Sequence, residues 1–241
     1  MEIDRRHFET IDSTIAWVKR NCQTLDPCKL TLVTAEEQTD GKGRYDRPWH
    51  SPPGQNIYAT FCSFIDSSQI KSICNVTQVL AISIAKTLES FGLTPELKWP
   101  NDILLSRKKV GGILASTHKA NDKYCLMTSY GLNVNMPLNL LLKINQPATS
   151  LCVEAKHQFD LEQVIQDILK EYAKNMDLFF ACGFTSFLAC FKKYHLPFKQ
   201  VRFSEGNRVW EGTIHAINPD GSLSIILSSG ELKTFYSGEI I

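Results

Sequence analysis

The stretch DGKGRYDRPWHSPPGQN, residues 40–56, interrupts the regular pattern of the chain, and the flanking segments are arranged around it. Its three prolines disfavour helix and inner strand. Gly41 and Gly43 allow backbone amides to approach a ligand closely, while Lys42 and Arg44 offer cations to phosphate or carboxylate oxygens. The stretch therefore predicts a long, basic, flexible loop that can bind a ligand.

Two further residues of this loop bear on the kind of ligand. Trp49 offers a flat aromatic face to a purine or a cation, and Arg47 adds another positive charge. Taken alone, the loop is also consistent with a solvated basic segment whose tryptophan only packs. The common phosphate-binding fingerprints do not match, because GxxxxGK[ST] is absent and Asp46 stands where GxGxxG needs its third glycine.

The composition places the chain among ordinary globular proteins. It has 241 residues, enough for one large domain or for one domain with a small companion. Hydrophobic residues make up 43%, which supplies a real core. The formal net charge of +1 gives no overall attraction to nucleic acid, so any basic character is local.

Cysteine spacing and apolar runs indicate the compartment. The eight cysteines form no C-x-x-C pair and no zinc-binding spacing, so we expect reduced thiols. No apolar run approaches the ~20 residues of a membrane span, and residues 1–13 lack the apolar core of a signal peptide. These features predict a cytoplasmic protein without a membrane segment.

Two strands and a helix start flank the basic loop. Residues 29–35 alternate and carry β-branched side chains, which predicts a strand entering the loop, and residues 56–64 predict the strand leaving it. Upstream, the DST at residues 12–14 precedes apolar positions and predicts a helix start capped by hydroxyl or carboxylate groups. The hydroxyls of Ser13 and Thr14 can equally bind a polar or anionic ligand group at that helix end.

The middle of the chain combines a core helix with an interrupted strand. Residues 70–91 carry apolar groups at helical spacing and predict a helix. The following strand, residues 96–105, is broken at Pro100, which cannot donate a ladder hydrogen bond. Lys98 stands just before the break. Because a charged residue in an apolar strand costs stability unless it is paired, Lys98 either faces solvent or meets a bound anion.

Two more strands carry glycine and asparagine at unusual positions. The Gly-Gly pair at 111–112, in a strand predicted over 110–117, indicates a bulge or the close approach of a backbone or ligand. In the strand predicted over 123–135, Asn133 and Asn135 would share one face. Asparagine is uncommon in strand interiors. The two residues are therefore predicted either to make specific hydrogen bonds or to mark a simple turn.

The rest of the chain predicts two helices and a separate β module. Residues 136–159 predict no regular structure, and a helix follows over 160–180 with Asp160 and Gln163 in capping-box spacing. A second helix is predicted to follow Thr185 and to end near the sequence HLP at residues 195–197. Beyond it, short alternating segments separated by turn signals predict a small SH3-like barrel that docks on the first domain.

Four motifs occur in the order and at the spacing seen in biotin protein ligases: GKGRYDRPW from residue 41, KWPND from residue 98, KVGGIL from residue 109 and GLNVN from residue 131. The DST at residues 12–14 and Gln38 match as well, so the chain resembles this family over essentially its whole length. The resemblance implies an α+β fold: a mixed-sheet catalytic domain of the biotin/lipoate ligase type over 1–196 and a small C-terminal SH3-like β-barrel over 197–241. Because the first motif begins at Asp12, we expect no N-terminal DNA-binding helix-turn-helix.

The chain departs from the family pattern at several positions. Tyr45 and Asp46 replace an Arg-Gly pair, and Lys42 stands where arginine is common, which bears on how the loop orders and retains an intermediate. Ile15 replaces a usual asparagine, and Ser129 replaces a usual glycine.

The resemblance implies an ATP-dependent, AMP-forming ligase that works in two steps. Biotin and ATP would form biotinyl-5′-AMP with release of pyrophosphate, and biotin would pass to one lysine of a biotin carboxyl carrier domain of a biotin-dependent carboxylase. Mg²⁺ would accompany the triphosphate, with no ligand assigned beyond Asp102 as a candidate. The resemblance is compatible with a homodimer, and no DNA or membrane partner is expected.

The resemblance also assigns roles to residues of the four motifs. Lys98 and Arg44 are the catalytic candidates, with Lys98 between the biotin carboxylate and the α-phosphate. The biotin-binding candidates are Ser13, Thr14, Gln38, Gly41, Lys42, Gly43, Arg44, Lys98, Gly111 and Gly112. The ATP- or adenylate-binding candidates are Lys42, Arg44, Arg47, Trp49, Asn101 and Asn133.

Three other functions compete with this interpretation. A lipoate-protein ligase shares the fold and the mixed-anhydride chemistry, but KWPND and the basic loop favour biotin. A nucleic-acid-binding module would use the loop and the barrel, and the net charge of +1 and the lack of an aromatic RNA-binding motif oppose it. A biotin-binding sensor without transfer activity is opposed by the presence of Lys98 and Arg44.

Overall fold

The computed structural model describes residues 2–196 and 200–241. The predicted boundary between residues 196 and 197 adjoins residues 197–199, which lie outside the described residues, as does the predicted end of the second helix at Pro197. In the described part of the chain, no helix combines the length and the apolarity needed to cross a membrane.

A mixed sheet forms the centre of the larger domain. Its strands, as far as the described residues go, are Ile3–Ile11 (β1), Leu30–Gln38 (β2), Ile57–Ile65 (β3), Pro95–Lys98 (β4), Asp102–Leu105 (β5), Lys108–Ala120 (β6) and Lys123–Leu132 (β7). Their order in the sheet is β1-β2-β3-β7-β6-β5-β4. Because β1 and β2 are parallel and the other neighbours are antiparallel, the predicted mixed sheet is confirmed.

The sequence does not predict β1, which is a correction to the expected fold. The segment IDRRHFETI is largely exposed and has no continuous apolar alternation. It is an edge strand held by one neighbour, with Ile3 opposite Leu30 and Ile11 opposite Gln38. Charged side chains commonly protect sheet edges from further pairing, and here they also remove the periodic signal.

Helices cover both faces of the sheet. In the described residues they are Thr14–Asn21 (α1), Val76–Ser90 (α2), Leu138–Leu141 (α3), Leu151–Ala155 (α4), Leu161–Cys182 (α5) and Leu188–Tyr194 (α6). α2 packs against α5 over the main core, where Phe61 of β3 stacks on Tyr172 with ring centroids 4.5 Å apart. α1 lies on the opposite face, above a smaller cluster that includes Val18 and Cys62.

Two predicted segments differ from the observed helices. The helix predicted over 70–91 is divided, because a 3-10 segment at Ser67–Ile73 precedes α2. Asn75 lies at the division, and its side-chain amide donates to the carbonyl of Asp220 at 2.9 Å. The segment 136–159, predicted to be irregular, contains α3 and α4, which are too short to show a helical period.

The predicted helix caps form only in part. Ser13 occupies the N-cap of α1, but its side chain makes no capping hydrogen bond. The backbone N–H of Thr14 instead donates to Oε1 of Gln38 at 2.9 Å, which ties the helix start to the end of β2. Asp160 caps α5 as predicted and accepts from the N–H of Gln163 at 3.3 Å. The capping box is wrong, because the Gln163 side chain bonds further along its own helix.

The KWPND motif forms a hairpin, so the interruption predicted at Pro100 is present, but the segment predicted as one strand over 96–105 reverses direction there. β4 and β5 are antiparallel, with Lys98 directly opposite Asp102. Trp99 lies in the turn between them and is 2% exposed. Its indole N–H donates to the carbonyl of Gly221 at 3.0 Å, so the turn is anchored outside its own domain.

The strand predicted over 123–135 ends earlier, at Leu132. Asn133 and Asn135 therefore lie beyond β7, and the expectation that they share a strand face is wrong. The side-chain amide of Asn133 donates to the carbonyl of Thr149 at 3.1 Å. That of Asn135 donates to the carbonyl of Phe159 at 2.8 Å. Both asparagines thus hold the chain that follows the sheet.

The C-terminal part forms a small β module that docks on the larger domain, as predicted. Its described strands are Val201–Glu205 (β8), Arg208–Ile217 (β9), Leu223–Leu227 (β10), Leu232–Phe235 (β11) and Glu239–Ile240 (β12). Their order is β11-β10-β9-β8-β12, so the pairing in the described residues is that of an open antiparallel sheet rather than a closed barrel. Phe203 packs on Phe235 inside the module and on Trp99 across the interface, with centroids 4.3 and 5.7 Å apart.

Candidate active site

A cavity of about 120 Å³ lies where the start of α1, the basic loop, the β4–β5 hairpin, the glycine-containing parts of β6 and β7, and β12 meet. The predicted site residues that line it are Ser13, Thr14, Gln38, Lys42, Gly43, Arg44, Arg47, Trp49, Lys98, Asn101 and Gly112. The fold therefore gathers into one place residues that are far apart in the sequence.

The cavity is rich in cations, and most of these have a partner in the protein. Arg47 Nη1 lies 2.7 Å from Glu239 Oε1, and Lys109 Nζ lies 2.8 Å from Asp102 Oδ1. Lys98 lines the same cavity and forms no ion pair with any described residue. Since a partly buried cation without a carboxylate partner is available to an anion, Lys98 marks where an anionic ligand group would bind.

Glu239 belongs to the C-terminal module but faces this cationic cavity. Burial by itself raises the pKa of the Glu239 carboxyl group, and the hydrogen bond from Arg47 opposes that effect. The charges of Arg47, Lys98 and Arg44 lower the pKa further, so that it lies below its ordinary value. Glu239 is thus an ionised carboxylate that balances part of the positive charge around the cavity.

Arg44 links the basic loop to both domains. Its Nη1 donates to the carbonyl of Gly238 at 2.8 Å and to Oδ1 of Asn101 at 3.3 Å. Asn101 also donates through its amide to the carbonyl of Ile113 at 2.8 Å. The loop is thereby docked over the cavity by an arginine that touches the hairpin on one side and the module on the other.

A chain of hydroxyl and amide groups lines the end of the cavity near α1. Thr60 Oγ1 donates to Thr14 Oγ1 at 2.9 Å, and Thr14 Oγ1 donates to Gln38 Oε1 at 3.3 Å. Thr60 also pairs with Ser129 Oγ at 2.7 Å. Ser13 lines the cavity and is 5% exposed. This end can satisfy a polar ring that both donates and accepts hydrogen bonds.

Trp49 fills the space that two glycines leave. A side-chain carbon on Gly131 would overlap the indole of Trp49, and one on Gly112 would lie 3.3 Å from Trp49 Cζ3. Lys109 Nζ lies 5.6 Å from the centroid of the indole. The close approach predicted at Gly112 therefore exists, and the approaching group is this tryptophan.

Gly41 and Gly111 do not line the cavity, although both are predicted ligand-binding residues. A side-chain carbon on Gly41 would lie 2.7 Å from Ser51 Oγ, inside the loop itself. One on Gly111 would lie 3.1 Å from the carbonyl oxygen of Gly131 on the adjacent strand. In both cases the glycine allows protein to pack against protein. Gly41 lines a neighbouring second cavity instead, and the biotin contacts predicted for both glycines stay predictions.

A second cavity, of about 750 Å³, is also lined by Trp49. Asn133 lines this second cavity rather than the first, together with Lys109, Arg47 and the Lys143–Gln146 segment. Trp49, Arg47 and Lys109 line both cavities, so the two spaces are neighbours.

Several cavity residues are absent from the sequence-based set. Lys109 belongs to the KVGGIL motif, but only the folded sheet shows that it pairs with Asp102. Ser129 faces Thr60 across β3 and β7, a pairing that the two strand registers could have suggested. Glu239 gives no signal in the sequence, because its contact with Arg47 spans 192 positions and two domains.

The fold and this cationic cavity agree with one family of ligases: the chain belongs to the biotin/lipoate A/B protein ligase family, whose sequence profile matches residues 7–135. The profile of the biotin protein ligase C terminal domain matches residues 198–241.

Similar proteins agree with this family. The chain is 30% identical over 214 residues to the bifunctional ligase/repressor BirA of Bacillus subtilis (strain 168), covering 87% of this chain and 65% of that protein. It is 28% identical over 209 residues to BirA of Escherichia coli (strain K12), covering 86% and 64%. The chain thus spans just under two thirds of the length of these curated relatives.

A solved structure resembles the whole fold. The biotin protein ligase from Aquifex aeolicus, determined in complex with biotin and ATP, aligns with a TM-score of 0.80 at 26% identity. The alignment covers 99% of this chain and 97% of that one, so both the larger domain and the β module have counterparts there.

Proposed function

We propose that the protein joins biotin and ATP into biotinyl-5′-AMP and transfers biotin to a lysine of a biotin carboxyl carrier domain. The observation that carries this proposal is Lys98, a cavity cation without an ion pair in the described residues, which lines one cavity together with the hydroxyls of Ser13 and Thr14 and two arginines of the basic loop. The Aquifex aeolicus ligase, which holds biotin and ATP, supports it through its similarity over nearly the whole chain.

The hydroxyl-lined end suits the ureido ring of biotin. That ring presents one carbonyl and two N–H groups, and each needs a partner once it leaves water. Ser13 and Thr14 supply hydroxyls and Gln38 supplies an amide, all at the cavity wall. The carboxylate at the other end of the molecule would then point toward Lys98 and the loop arginines.

Adenylate formation brings the biotin carboxylate to the α-phosphorus of ATP. Both reactants are anions, so cations that reduce their repulsion lower the barrier. The carboxylate is already ionised at neutral pH and needs no general base. Lys98 would contact both anions, while Lys42 and Arg44 would hold the phosphate and exclude water from the mixed anhydride.

The second cavity is the place for the nucleotide base. Trp49 offers it a flat face, and Asn133 lines the same space. Lys109 lines both cavities, so it can act on the phosphates between them. We therefore add Lys109 to the predicted nucleotide-binding residues.

The residues present also fit the Mg²⁺ that accompanies ATP. Mg²⁺ is usually held by one or two carboxylates together with substrate phosphates rather than by a protein cage. Among the described residues there is no cluster of three or more metal-binding side chains, but Asp102 lines the cavity as a carboxylate next to the cation of Lys109. Asp102 would hold the ion, which when bound neutralises charge on the triphosphate.

Transfer to the carrier needs a neutral lysine amine next to the activated acyl group, for which proximity suffices. The acceptor carboxylase, a cytoplasmic location, a possible homodimer and the lack of DNA binding stay predictions from the sequence.

Mass spectrometry of a purified biotin carrier domain tests the proposal. After incubation with the protein, biotin and Mg-ATP, the carrier should gain the mass of one biotin. Lipoic acid in place of biotin, with a lipoyl carrier domain, is the matched control, because the family includes lipoate ligases. A carrier that stays unmodified with biotin, or a faster reaction with lipoic acid, contradicts the proposal.

A further inference from the structure

The two residues that depart most from the family pattern also have the most unusual backbone in the loop. Tyr45 lies at φ 58° and ψ 33°, and Asp46 lies at φ 56°. Two consecutive non-glycine residues in the left-handed region are disfavoured. Tyr45 is 57% exposed, so burial of its ring in a core does not explain why this conformation is adopted.

The Tyr45 ring contacts both arginines of the loop. The guanidinium carbon of Arg44 lies 5.0 Å from the ring centroid, and that of Arg47 lies 5.5 Å from it. Both distances fall within the range of a cation–π interaction. Arg44 Nη2 also donates to the Tyr45 hydroxyl at 3.1 Å. The left-handed turn thus places one aromatic ring against two cations that are three residues apart.

Each arginine makes a further contact with the C-terminal module. Arg44 Nη1 reaches the carbonyl of Gly238, and Arg47 Nη1 reaches Glu239 Oε1. Both arginines line the cavity, whereas Tyr45 does not. The two guanidinium groups carry like charges and repel each other. The negative face of the Tyr45 ring, which both groups approach, offsets part of that repulsion.

We propose that Tyr45 is a positioning residue, which holds Arg44 and Arg47 in the orientation that receives the phosphates of the nucleotide. The inference rests on the proposed function for the identity of the ligand. Without the ring, both arginines gain rotamer freedom, and nucleotide binding must order them again.

Three substitutions of Tyr45 separate the ring from the backbone. Tyr45→Phe keeps the aromatic face and loses the hydroxyl. Tyr45→Leu removes the face and keeps a side chain at positive φ. Tyr45→Gly removes the aromatic face and, at the same time, relieves the strain of a non-glycine residue at positive φ. Because the side chain is exposed, none of them should lower the melting midpoint enough to unfold the protein at assay temperature.

The readouts are KM for ATP and kcat of biotin-dependent pyrophosphate release, together with calorimetric titration of Mg-ATP alone. Tyr45→Leu and Tyr45→Gly should raise KM for ATP and the calorimetric Kd about tenfold, the effect of two lost cation–π contacts, with kcat changed less. Tyr45→Phe should stay within about twofold of wild type, because the aromatic face remains.

Two outcomes overturn the assignment: a Tyr45→Leu variant with wild-type affinity for Mg-ATP, or a Tyr45→Phe variant as impaired as Tyr45→Leu. Failure of the proposed function looks different, because the wild type itself would then release no pyrophosphate with biotin. If that wild type still binds Mg-ATP, the titration compares the variants and decides the role of Tyr45; a wild type that binds no Mg-ATP overturns both the proposed function and the assignment.

Discussion

At the scale of single residues, Lys98 is the side chain whose loss should matter most for chemistry. Lys98→Met keeps much of the side-chain length and removes the charge from the cavity. We expect biotin-dependent pyrophosphate release to fall about a hundredfold or more, as when a group that stabilises transition-state charge is lost. Lys119→Met, an exposed lysine at the far end of β6, is the matched control. Equal rates in the two variants would remove Lys98 from the mechanism.

Gly131 is a second residue whose role the structure makes specific. Gly131→Ala would place a methyl group into the indole of Trp49, so the indole must move. We expect a loss of about 1–3 kcal/mol in the free energy of unfolding or a displaced, more solvent-exposed tryptophan. Thermal unfolding and tryptophan emission measure the two effects.

The matched control for Gly131→Ala is the same substitution in a Trp49→Leu background. With the indole absent, the added methyl group has room, so Gly131→Ala should then cost little. An equal cost in both backgrounds would show that Gly131 is needed for the strand itself rather than for Trp49.

At the scale of elements, the basic loop lines the cavity and is tied through Arg44 to the β4–β5 hairpin and to the C-terminal module. Arg44→Gly removes the bonds to Gly238 and Asn101 while Lys98 remains in the cavity. We expect biotinyl-5′-AMP to form and then escape, because the closed loop that retains it is weakened. Released adenylate acylates exposed lysines, so blotting serum albumin for biotin measures the escape. An Arg44→Gly variant that releases pyrophosphate but labels albumin no more than wild type would contradict this role.

The helices and strands differ in how well the sequence predicts them. The loop, its flanking strands β2 and β3, and the long helices follow from prolines, alternation and helical spacing, all of which are local. β1 was missed because a charged edge strand has no local signal. The break at Pro100 follows from the sequence, but the reversal of the chain there does not, because Trp99 is held in the turn by Gly221, a contact across 122 positions. For the same reason the site was predicted without Glu239, whose partner lies in the other domain.

At the scale of the whole molecule, stability should depend on pH through His195. Burial lowers the pKa of this imidazole to about 4, and it lies between α6 and β4 beside Phe191. The unfolded chain binds a proton near the ordinary histidine value of 6.5. Between those two values the unfolded state therefore holds more protons, and stability falls as pH decreases.

We expect about 2 kcal/mol of stability to be lost between pH 7 and pH 5 from this one group. Urea unfolding at several pH values measures it, and His195→Phe should flatten the dependence because the ring is kept and the titration is removed. Carboxylates whose pKa is lowered, such as Glu239, act below this window and do not interfere. An unchanged slope in His195→Phe would show that the histidine is not the source.

The anchoring of Trp99 in the C-terminal module has a consequence for how binding energy is used. The hairpin that presents Lys98 and Asp102 is fixed by Gly221 and Phe203, and the same module supplies Glu239 to the cavity wall. A ligand in the cavity would contact both the larger domain and the C-terminal module. Its binding would therefore also stabilise the association of these two domains. A bound ligand would therefore link the two domains. Separating the domains by force should need more work when the site is filled than when it is empty.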